Sequence, residues 1–231
     1  MKERIIKYTG RDINVYFTVD RCTHVAECVR GAPEVFDPTR RPWVIADAAE
    51  PNKIAEVIMR CPTGALHFER KDEGAEETIP SNNKAIICRD GPLYLHGDLE
   101  IHNFDGSLIL KDTRLALCRC GASRIMPLCD RSHFRIRFMD KKKFAIRKIQ
   151  NNLTSGRIVI TLMKDGPLHI QGPLEIRNPK GEVCYKGNSA TLCRCGRSAK
   201  MPFCDGSHLK AGFKTNQEIV LVQKEEKFKN Y

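Results

Sequence analysis

Short β-rich segments recur along the whole chain, and helical periodicity is confined to one stretch in its first third. The alternating run at residues 13–17 and the run at 43–45 each predict a strand. The stretch 52–60 predicts a helix, because three apolar residues follow the spacing of one helix face: Ile54, Val57 and Ile58. The first 71 residues are therefore expected to form a small domain of mixed strand and helix.

The remainder of the chain contains two similar series of short β-rich segments. Segments 85–87 and 93–95 begin the first series, and segments 158–162 and 168–170 begin the second. Gly-Pro and Asn-x-x-Gly sequences lie between such segments and are typical of the turns of a β-meander. The polar stretch 72–83, which contains Gly and Pro, is the best linker between this part of the chain and the N-terminal domain.

The two series are copies of one unit, related by an offset of 75 positions. The offset aligns Cys118 with Cys193 and His133 with His208. The alignment has no gap from the Asp-Gly-Pro-Leu sequence that begins at Asp90 as far as His133. This period is longer than that of solenoid repeats, which favours two small homologous domains. The expected fold class is α+β, with an N-terminal domain at 1–71, a linker at 72–83, and repeat units at 84–150 and 151–231.

Eleven cysteines, most of them clustered, change the interpretation of these small domains. The start of the chain lacks the apolar core of a signal peptide, and no apolar run approaches the ~18 residues of a membrane span. A cytoplasmic location without membrane attachment is therefore expected, where thiols stay reduced. Clustered cysteines in that setting favour metal binding over disulfides.

The formal net charge of +11 is typical of chains with acidic partners or nucleic acid. That count treats every thiol as neutral, and ligation of iron by thiolates would reduce the excess. The basic runs at 141–143 and beyond Gln223 are interpreted as solvated faces. Charge alone therefore assigns no function.

Each repeat contains three cysteines and one histidine with the spacing C-x-C-x8-C-x3-H. The set is Cys118, Cys120, Cys129 and His133 in the first repeat, and Cys193, Cys195, Cys204 and His208 in the second. Structural zinc also takes Cys3His, and ligand identity alone favours it. The first cysteines of zinc sites are usually spaced more widely than C-x-C, however. Two close pairs of ligands are what a two-iron cluster requires, so the spacing favours iron-sulfur.

The residues around these ligands resemble a known signature. The run C-x-C-x2-S-x3-P-x-C-D-G-S-H, which ends at His208, is similar to that of the CDGSH iron-sulfur (NEET) family at every position, and the first repeat departs from it only at Arg131. The resemblance implies one [2Fe-2S] cluster in each repeat, with the C-x-C thiolates on one iron and the last cysteine and the histidine on the other. It also implies that the two β-rich units form an intramolecular pseudo-dimer. A nearby positive charge favours the reduced form of a cluster. Because only the first repeat has an arginine at this position, Arg131, we expect the two clusters to be inequivalent.

A different set of cysteines lies in the N-terminal domain. Cys22 and Cys28 keep the outer spacing of the ferredoxin run C-x2-C-x2-C, a valine replaces the middle thiol, and Cys61 is followed by proline. The surrounding sequence, including YTG, RPW and CPTGAL, resembles the divergent 4Fe-4S mono-cluster ferredoxin family. The resemblance implies a ferredoxin-like domain whose cluster is held by these three cysteines. The cluster is expected to be [3Fe-4S], or [4Fe-4S] completed by His24, water or another group.

These features predict an iron-sulfur protein that passes electrons between partners or donates a cluster, in iron or redox homeostasis. The sequence contains no nucleophile–base pair, phosphate loop or flavin fingerprint, so no enzymatic activity of its own is expected. The expected partner is an acidic redox protein or an apo-iron-sulfur protein, and the chain is expected to be a monomer. The alternative is a zinc-stabilised module that binds nucleic acid; a low aromatic content of 7% and the lack of a recognition-helix pattern oppose it.

Overall fold

The computed structural model describes residues 3–140, 144, 149–150, 153 and 155–215. The basic runs at 141–143 and beyond Gln223 lie outside these residues. The chain divides into two compact units, one formed by Glu3–Thr78 and the other beginning at Ile79. Within the described part of the chain, no helix has the length and apolar character required to cross a membrane.

An antiparallel three-stranded sheet and two helices form the N-terminal unit. The strands are β1 (Ile5–Thr9), β2 (Ile13–Thr18) and β3 (Leu66–Arg70), in the order β1-β2-β3. The helices are α1 (Glu27–Gly31) and α2 (Pro51–Met59). β2 confirms the strand predicted at 13–17, and α2 confirms the helix predicted at 52–60. The apolar residues of both elements share one buried core.

The strand predicted at 43–45 is wrong. A single bridge joins Val44 to Phe36, and the segment belongs to neither sheet of the described residues. The Trp43 ring instead packs edge-on against Phe17, with 4.8 Å between ring centroids, and against Tyr8 at 6.3 Å. Packing of the partly buried indole against aromatic rings stabilises this segment as a loop, which its β-rich composition does not indicate.

The polar stretch predicted as a linker begins within the N-terminal unit. Arg70, the last residue of β3, donates two hydrogen bonds of 2.7 Å to the carboxylate of Asp72. Glu77 is buried, and its carboxylate lies 2.9 Å from Nδ1 of His67 on β3. These contacts fix the first part of the stretch beside the sheet.

Each repeat consists of one short strand, a long hairpin and one helical turn. The first repeat contains β4 (Lys84–Ile87), β5 (Leu93–His102), β6 (Leu108–Leu117) and α3 (Ser132–Arg135). The second contains β7 (Ile158–Leu162), β8 (Leu168–Arg177), β9 (Val183–Leu192) and α4 (Ser207–Lys210). The first hairpin strands are longer than predicted, because a β-bulge absorbs the glycine that would otherwise indicate a turn, at Gly97 and at Gly172.

The first strand of each repeat joins the hairpin of the other repeat. β4 pairs antiparallel with β5 of its own repeat and parallel with β8, and β7 pairs in the same way with β8 and β5. One six-stranded sheet results, and its inner residues belong to a single apolar core. This reciprocal pairing joins the two repeats in one unit that is rich in strands and has few helices.

Candidate metal centres

The first candidate ligand pair of each repeat lies in the tight turn that follows the hairpin. In the first repeat, the backbone N–H of Cys118 donates to the carbonyl of Pro127 at 2.8 Å, which holds this turn. The Sγ atoms of Cys118 and Cys120 are 3.6 Å apart, and those of Cys193 and Cys195 have the same separation. Two thiolates bound at ~2.3 Å to one tetrahedral metal ion are ~3.8 Å apart. Each pair can therefore hold one metal ion.

The second ligand pair is brought together by one helical turn. Cys129 precedes α3 and His133 lies within it, and their Sγ and Nδ1 atoms are 3.5 Å apart. Cys204 and His208 have the same separation at α4. Residues four positions apart lie on the same side of a helical turn. The x3 spacing therefore places a thiol beside an imidazole in both repeats.

Arg131 and Gly206 precede these helical turns, with positive φ angles of 69° and 85°. At both positions the backbone N–H donates to the cysteine Sγ two residues earlier, at 3.4 Å. Glycine adopts this left-handed conformation without strain, whereas a residue with a Cβ does not. The departure at Arg131 therefore costs backbone strain and leaves the ligand pair in place.

The repeat ligands form separate pairs in the structure. Among the described residues, no three His, Cys, Asp or Glu side chains converge on the position of a single metal ion. Each repeat instead offers one thiol pair and one thiol–imidazole pair. This arrangement and this donor chemistry fit a two-iron core, which takes one pair of ligands on each iron.

Burial and mutual contact control the protonation of the first-repeat thiols. The contact with Cys120 lowers the pKa of Cys118 to about 6, and the same contact raises the pKa of Cys120. Burial raises the pKa of Cys129 to about 12. A metal ion that takes all three as thiolates must therefore displace the protons of Cys120 and Cys129.

The imidazole of the first repeat is held in its neutral form. Burial lowers the pKa of His133, and the charges of Arg131 and Arg119 lower it further. The ring lies against that of Phe134, with 4.3 Å between centroids. A neutral imidazole is the form that binds a metal ion, so this environment favours ligation over protonation.

The two C-x-C turns contact each other across the boundary between the repeats. Gly121 has a φ of 75°, and a Cβ atom there would lie 2.4 Å from the carbonyl oxygen of Cys195. Gly196, with a φ of 74°, has the same relation to Cys120. Both the conformation and the close approach require glycine. The sequence reasoning missed these two residues, although the C-R-C-G run common to both repeats was the available signal.

An arginine between the two ligand cysteines anchors each turn, and this role was also missed. Arg119 and Arg194 are buried, and each guanidinium donates to two backbone carbonyls of the loop that precedes the hairpin. Arg119 also donates to both carboxylate oxygens of Asp140, at 2.7 and 3.0 Å, whereas Arg194 donates to the Thr215 hydroxyl at 2.9 Å. Burial lowers the pKa of Arg194 to about 10.

The three N-terminal cysteines line one pocket. Cys22 follows a 3-10 turn, Cys28 lies on α1, and Cys61 follows α2. Burial raises the pKa of Cys28 to about 11, and the neighbouring thiols of Cys61 and Cys22 add to the shift. The pocket wall includes three large apolar residues, Phe17, Trp43 and Leu66. The fold thus places three thiols that are distant in sequence around the wall of one pocket.

His24 also lines this pocket, and it is exposed in a left-handed conformation with a φ of 55°. The hydroxyl of Thr23, which lines the same pocket, is buried without a hydrogen-bond partner among the described residues. The pocket therefore offers an exposed imidazole and a buried hydroxyl beside Cys22. An orphaned hydroxyl fits a pocket that takes a polar group such as a cluster.

Comparison with known proteins agrees with this geometry. Residues 8–71 match the family described as "Divergent 4Fe-4S mono-cluster". Residues 90–134 and 165–209 match the family described as "Iron-binding zinc finger CDGSH type". The chain therefore belongs to the iron-sulfur proteins, with a divergent 4Fe-4S mono-cluster domain followed by two CDGSH repeats.

Three relatives each match part of the chain. The chain is 41% identical over 64 residues to "Uncharacterized protein YjdI" of Escherichia coli (strain K12), which covers 28% of this chain and 84% of that protein. It is 29% identical over 91 residues to "CDGSH iron-sulfur domain-containing protein 1" of Mus musculus, and this match covers 38% of this chain and 74% of that protein. The protein of that name from Rattus norvegicus is 43% identical over 42 residues, and this match covers 17% of this chain and 39% of that protein. No solved structure matches the chain.

Proposed function

We propose that this chain is an iron-sulfur carrier with two [2Fe-2S] clusters and one [3Fe-4S] or [4Fe-4S] cluster. It passes electrons between partner proteins or donates a cluster to an acceptor, in iron or redox homeostasis. The observation that carries the proposal is the duplicated arrangement of ligand pairs, with separations of 3.6 and 3.5 Å in both repeats. A two-iron core needs one such pair on each iron.

The proposed ligands divide between the irons by these pairs. In the first repeat, Cys118 and Cys120 would hold one iron, and Cys129 and His133 would hold the other. The second repeat uses Cys193 with Cys195, and Cys204 with His208. When bound, such a cluster supplies one-electron redox chemistry. A neutral imidazole in place of a fourth thiolate leaves the site less negative, which raises its reduction potential.

The two repeats are proposed to act as an intramolecular pseudo-dimer, so that the chain works as a monomer. The reciprocal pairing of β4 with β8 and of β7 with β5 supports this proposal. The matching approaches of Gly121 to Cys195 and of Gly196 to Cys120 support it as well. Two equivalent halves that complete each other within one chain leave no need for a second copy.

The third cluster is proposed to lie in the ferredoxin-like N-terminal domain, held by Cys22, Cys28 and Cys61. Their shared pocket supports this assignment. Val25 cannot act as a ligand, so the cluster has three irons unless another group completes it. His24 is the candidate fourth ligand, because it lines the pocket two residues after Cys22.

The proposed partner is an acidic redox protein or an apo-iron-sulfur protein of the cytoplasm. Each ligand histidine is followed by an exposed apolar residue and an exposed basic residue: Phe134 and Arg135, and Leu209 and Lys210. An acidic protein docked on these residues would lie beside the imidazole of each site, and its charge would increase the rate of encounter. Catalysis by the chain itself and binding of nucleic acid are not part of the proposal.

Metal analysis of anaerobically purified protein tests this function. We expect a brown protein that contains about seven or eight irons per chain, since two two-iron clusters and one larger cluster are proposed. EPR then distinguishes three irons from four in the N-terminal cluster. A colourless protein with zinc in both repeats would overturn the proposal in favour of structural zinc sites.

Incubation with an apo-ferredoxin separates the two modes of action. Appearance of a cluster on the acceptor, with loss of absorbance from this chain, supports cluster donation. Fast reduction of an oxidised ferredoxin without cluster transfer supports electron carriage. If neither reaction occurs with acidic acceptors, the proposed class of partner is wrong.

A further inference from the structure

We propose that the hydroxyl of Thr23 donates a hydrogen bond to a sulfide of the N-terminal cluster and raises the reduction potential of that cluster. The basis is that this buried hydroxyl belongs to the pocket of the three cysteines and has no partner among the described residues. The inference rests on the proposed function, since it requires a cluster in that pocket. It adds a residue that sets a property of the cluster without binding iron.

The side chain of Thr23 is enclosed within the N-terminal unit. Thr23 lies between Cys22 and His24, it is 9% exposed, and its Oγ1 atom is shielded from solvent. That oxygen forms no hydrogen bond with any of the residues that the structure describes. A buried hydroxyl without a partner destabilises a fold. The hydroxyl of Thr23 therefore fits a partner that occupies the pocket.

The composition of the pocket wall favours the cluster as that partner. Phe17, Trp43 and Leu66 make part of the wall apolar, and their side chains offer no good acceptor for a hydroxyl. A cluster held by the three cysteines would bring its own sulfides into the same pocket. A sulfide can only accept a hydrogen bond, whereas a threonine hydroxyl can donate one. In this pair the hydroxyl is therefore the donor.

A second threonine of the pocket already lies beside a candidate ligand. Oγ1 of Thr63 is 3.5 Å from Sγ of Cys61, and it accepts the backbone N–H of Ala65 at 3.2 Å. Because that N–H uses the oxygen as an acceptor, the proton of the hydroxyl is available to Cys61 when this cysteine is a thiolate. Thr63 therefore bonds a ligand sulfur, and Thr23 is left for a sulfur of the cluster itself.

A hydrogen bond to a cluster sulfur favours the reduced state. Reduction adds one negative charge to the cluster, and a donor binds a more negative acceptor more strongly. The hydroxyl of Thr23 is buried, so this difference is screened less than it would be at the surface. Loss of the hydroxyl should therefore lower the potential of the N-terminal cluster.

Redox titration of the full chain, purified anaerobically and followed by EPR, tests the inference. Thr23→Val removes the hydroxyl and keeps a branched side chain, Thr23→Ser keeps the hydroxyl, and Thr23→Ala removes it. We expect a lower N-terminal potential in the valine and alanine variants, and a potential near that of the wild type in the serine variant. Thr9→Val is the control, because Thr9 is exposed at the end of β1 and should not affect the potential.

ENDOR spectra of the N-terminal signal in H2O and D2O provide a readout that a merely structural hydroxyl would not change. The wild type and Thr23→Ser should show an exchangeable proton coupled to the cluster that Thr23→Val and Thr23→Ala lack. If the valine variant does not bind its cluster, the serine and alanine variants still isolate the hydroxyl.

The outcomes separate this inference from the proposed function. Equal potentials and equal proton couplings in the serine and alanine variants would overturn the inference alone. Loss of the coupling without a change in potential would overturn the redox role of the hydroxyl. Conversion of a four-iron signal to a three-iron signal in both Thr23→Val and Thr23→Ala would make Thr23 an iron ligand and overturn its role as a donor. A wild type with iron in the repeats only would overturn the proposed N-terminal cluster, and the inference with it.

Discussion

Gly121 of the first repeat packs directly against the carbonyl of Cys195 in the second, and Gly196 packs against Cys120 in the same way. Each C-x-C turn is therefore supported from behind by the turn of the other repeat. The geometry of a ligand pair in one repeat depends on the presence of the other repeat. This mutual support gives a structural reason for two copies in one chain.

Replacement of Gly121 by alanine should destabilise the repeat unit and loosen both ligand pairs. The left-handed backbone alone costs an alanine ~1–2 kcal/mol, and the new Cβ would overlap the Cys195 carbonyl at 2.4 Å. Gly106→Ala is the matched control, since Gly106 has a φ of 84° and nothing lies within 4 Å of a Cβ there. Urea denaturation should show the larger loss for Gly121→Ala, by about 1–3 kcal/mol. Equal losses would show that the close approach is unimportant.

Arg131→Gly should stabilise the first repeat. The substitution relieves the left-handed strain at a φ of 69°, although glycine also gains freedom in the unfolded chain, so the net gain is up to about 1 kcal/mol. Gly206→Arg should have the opposite effect in the second repeat. Chemical denaturation of both variants measures the two changes, and the first-site potential should fall in Arg131→Gly because a nearby positive charge is removed. Unchanged stability, potential and cluster lifetime would refute the expected role of Arg131.

The pH dependence follows from the depressed pKa of His133. Burial and two arginine charges hold this pKa below its ordinary value, so the folded protein keeps the ring neutral while the unfolded chain takes up a proton near pH ~6.5. Unfolding therefore becomes more favourable as the pH falls below ~6.5, towards the pKa of the folded state. We expect the visible absorbance of the clusters to decay faster at mildly acidic pH than at mildly alkaline pH.

Substitution of the ligand histidines tests the origin of this decay. His208→Cys should slow the acid decay of the second site, because a thiolate replaces the ligand that competes most readily with protons near neutrality. His133→Cys should do the same for the first site, and each variant serves as a control for the other repeat. A decay rate that is unchanged in His208→Cys would show that this histidine is not the weak ligand.

Cys28→Ser should remove the N-terminal cluster and leave both repeat clusters in place. Cys28 lines the N-terminal pocket and belongs to the unit Glu3–Thr78, whereas the repeat ligands belong to the other unit. Cys88→Ser is the matched control, because Cys88 is a partly buried thiol outside every ligand set. Iron analysis and EPR should show loss of the N-terminal signal in Cys28→Ser only. Loss of iron in Cys88→Ser would reveal a ligand that the spacing does not indicate.

Local features of the site were predictable from sequence because they depend on residues close together in the chain. In the C-x-C turn the two cysteines are close because only one residue separates them, and in C-x3-H one helical turn brings the cysteine and the histidine together. The structure has both pairs, with 3.6 Å between the two Sγ atoms and 3.5 Å between Sγ and Nδ1. The helix at 52–60 was predictable because three apolar residues share one face. The segment at 43–45 was not, because packing of Trp43 against Phe17 overrides the strand preference of its neighbours.

The sequence by itself determined the duplication, the candidate ligands and the two families to which the chain belongs. Only the tertiary structure decided that β4 and β7 pair with the opposite repeats, that Gly121 contacts Cys195, and that Arg119 bonds Asp140 whereas Arg194 bonds Thr215. The physical reason is the distance between partners along the chain. Spacing fixes short-range chelation, whereas strand pairing, close approach and charge compensation depend on which distant residues the folded core brings together.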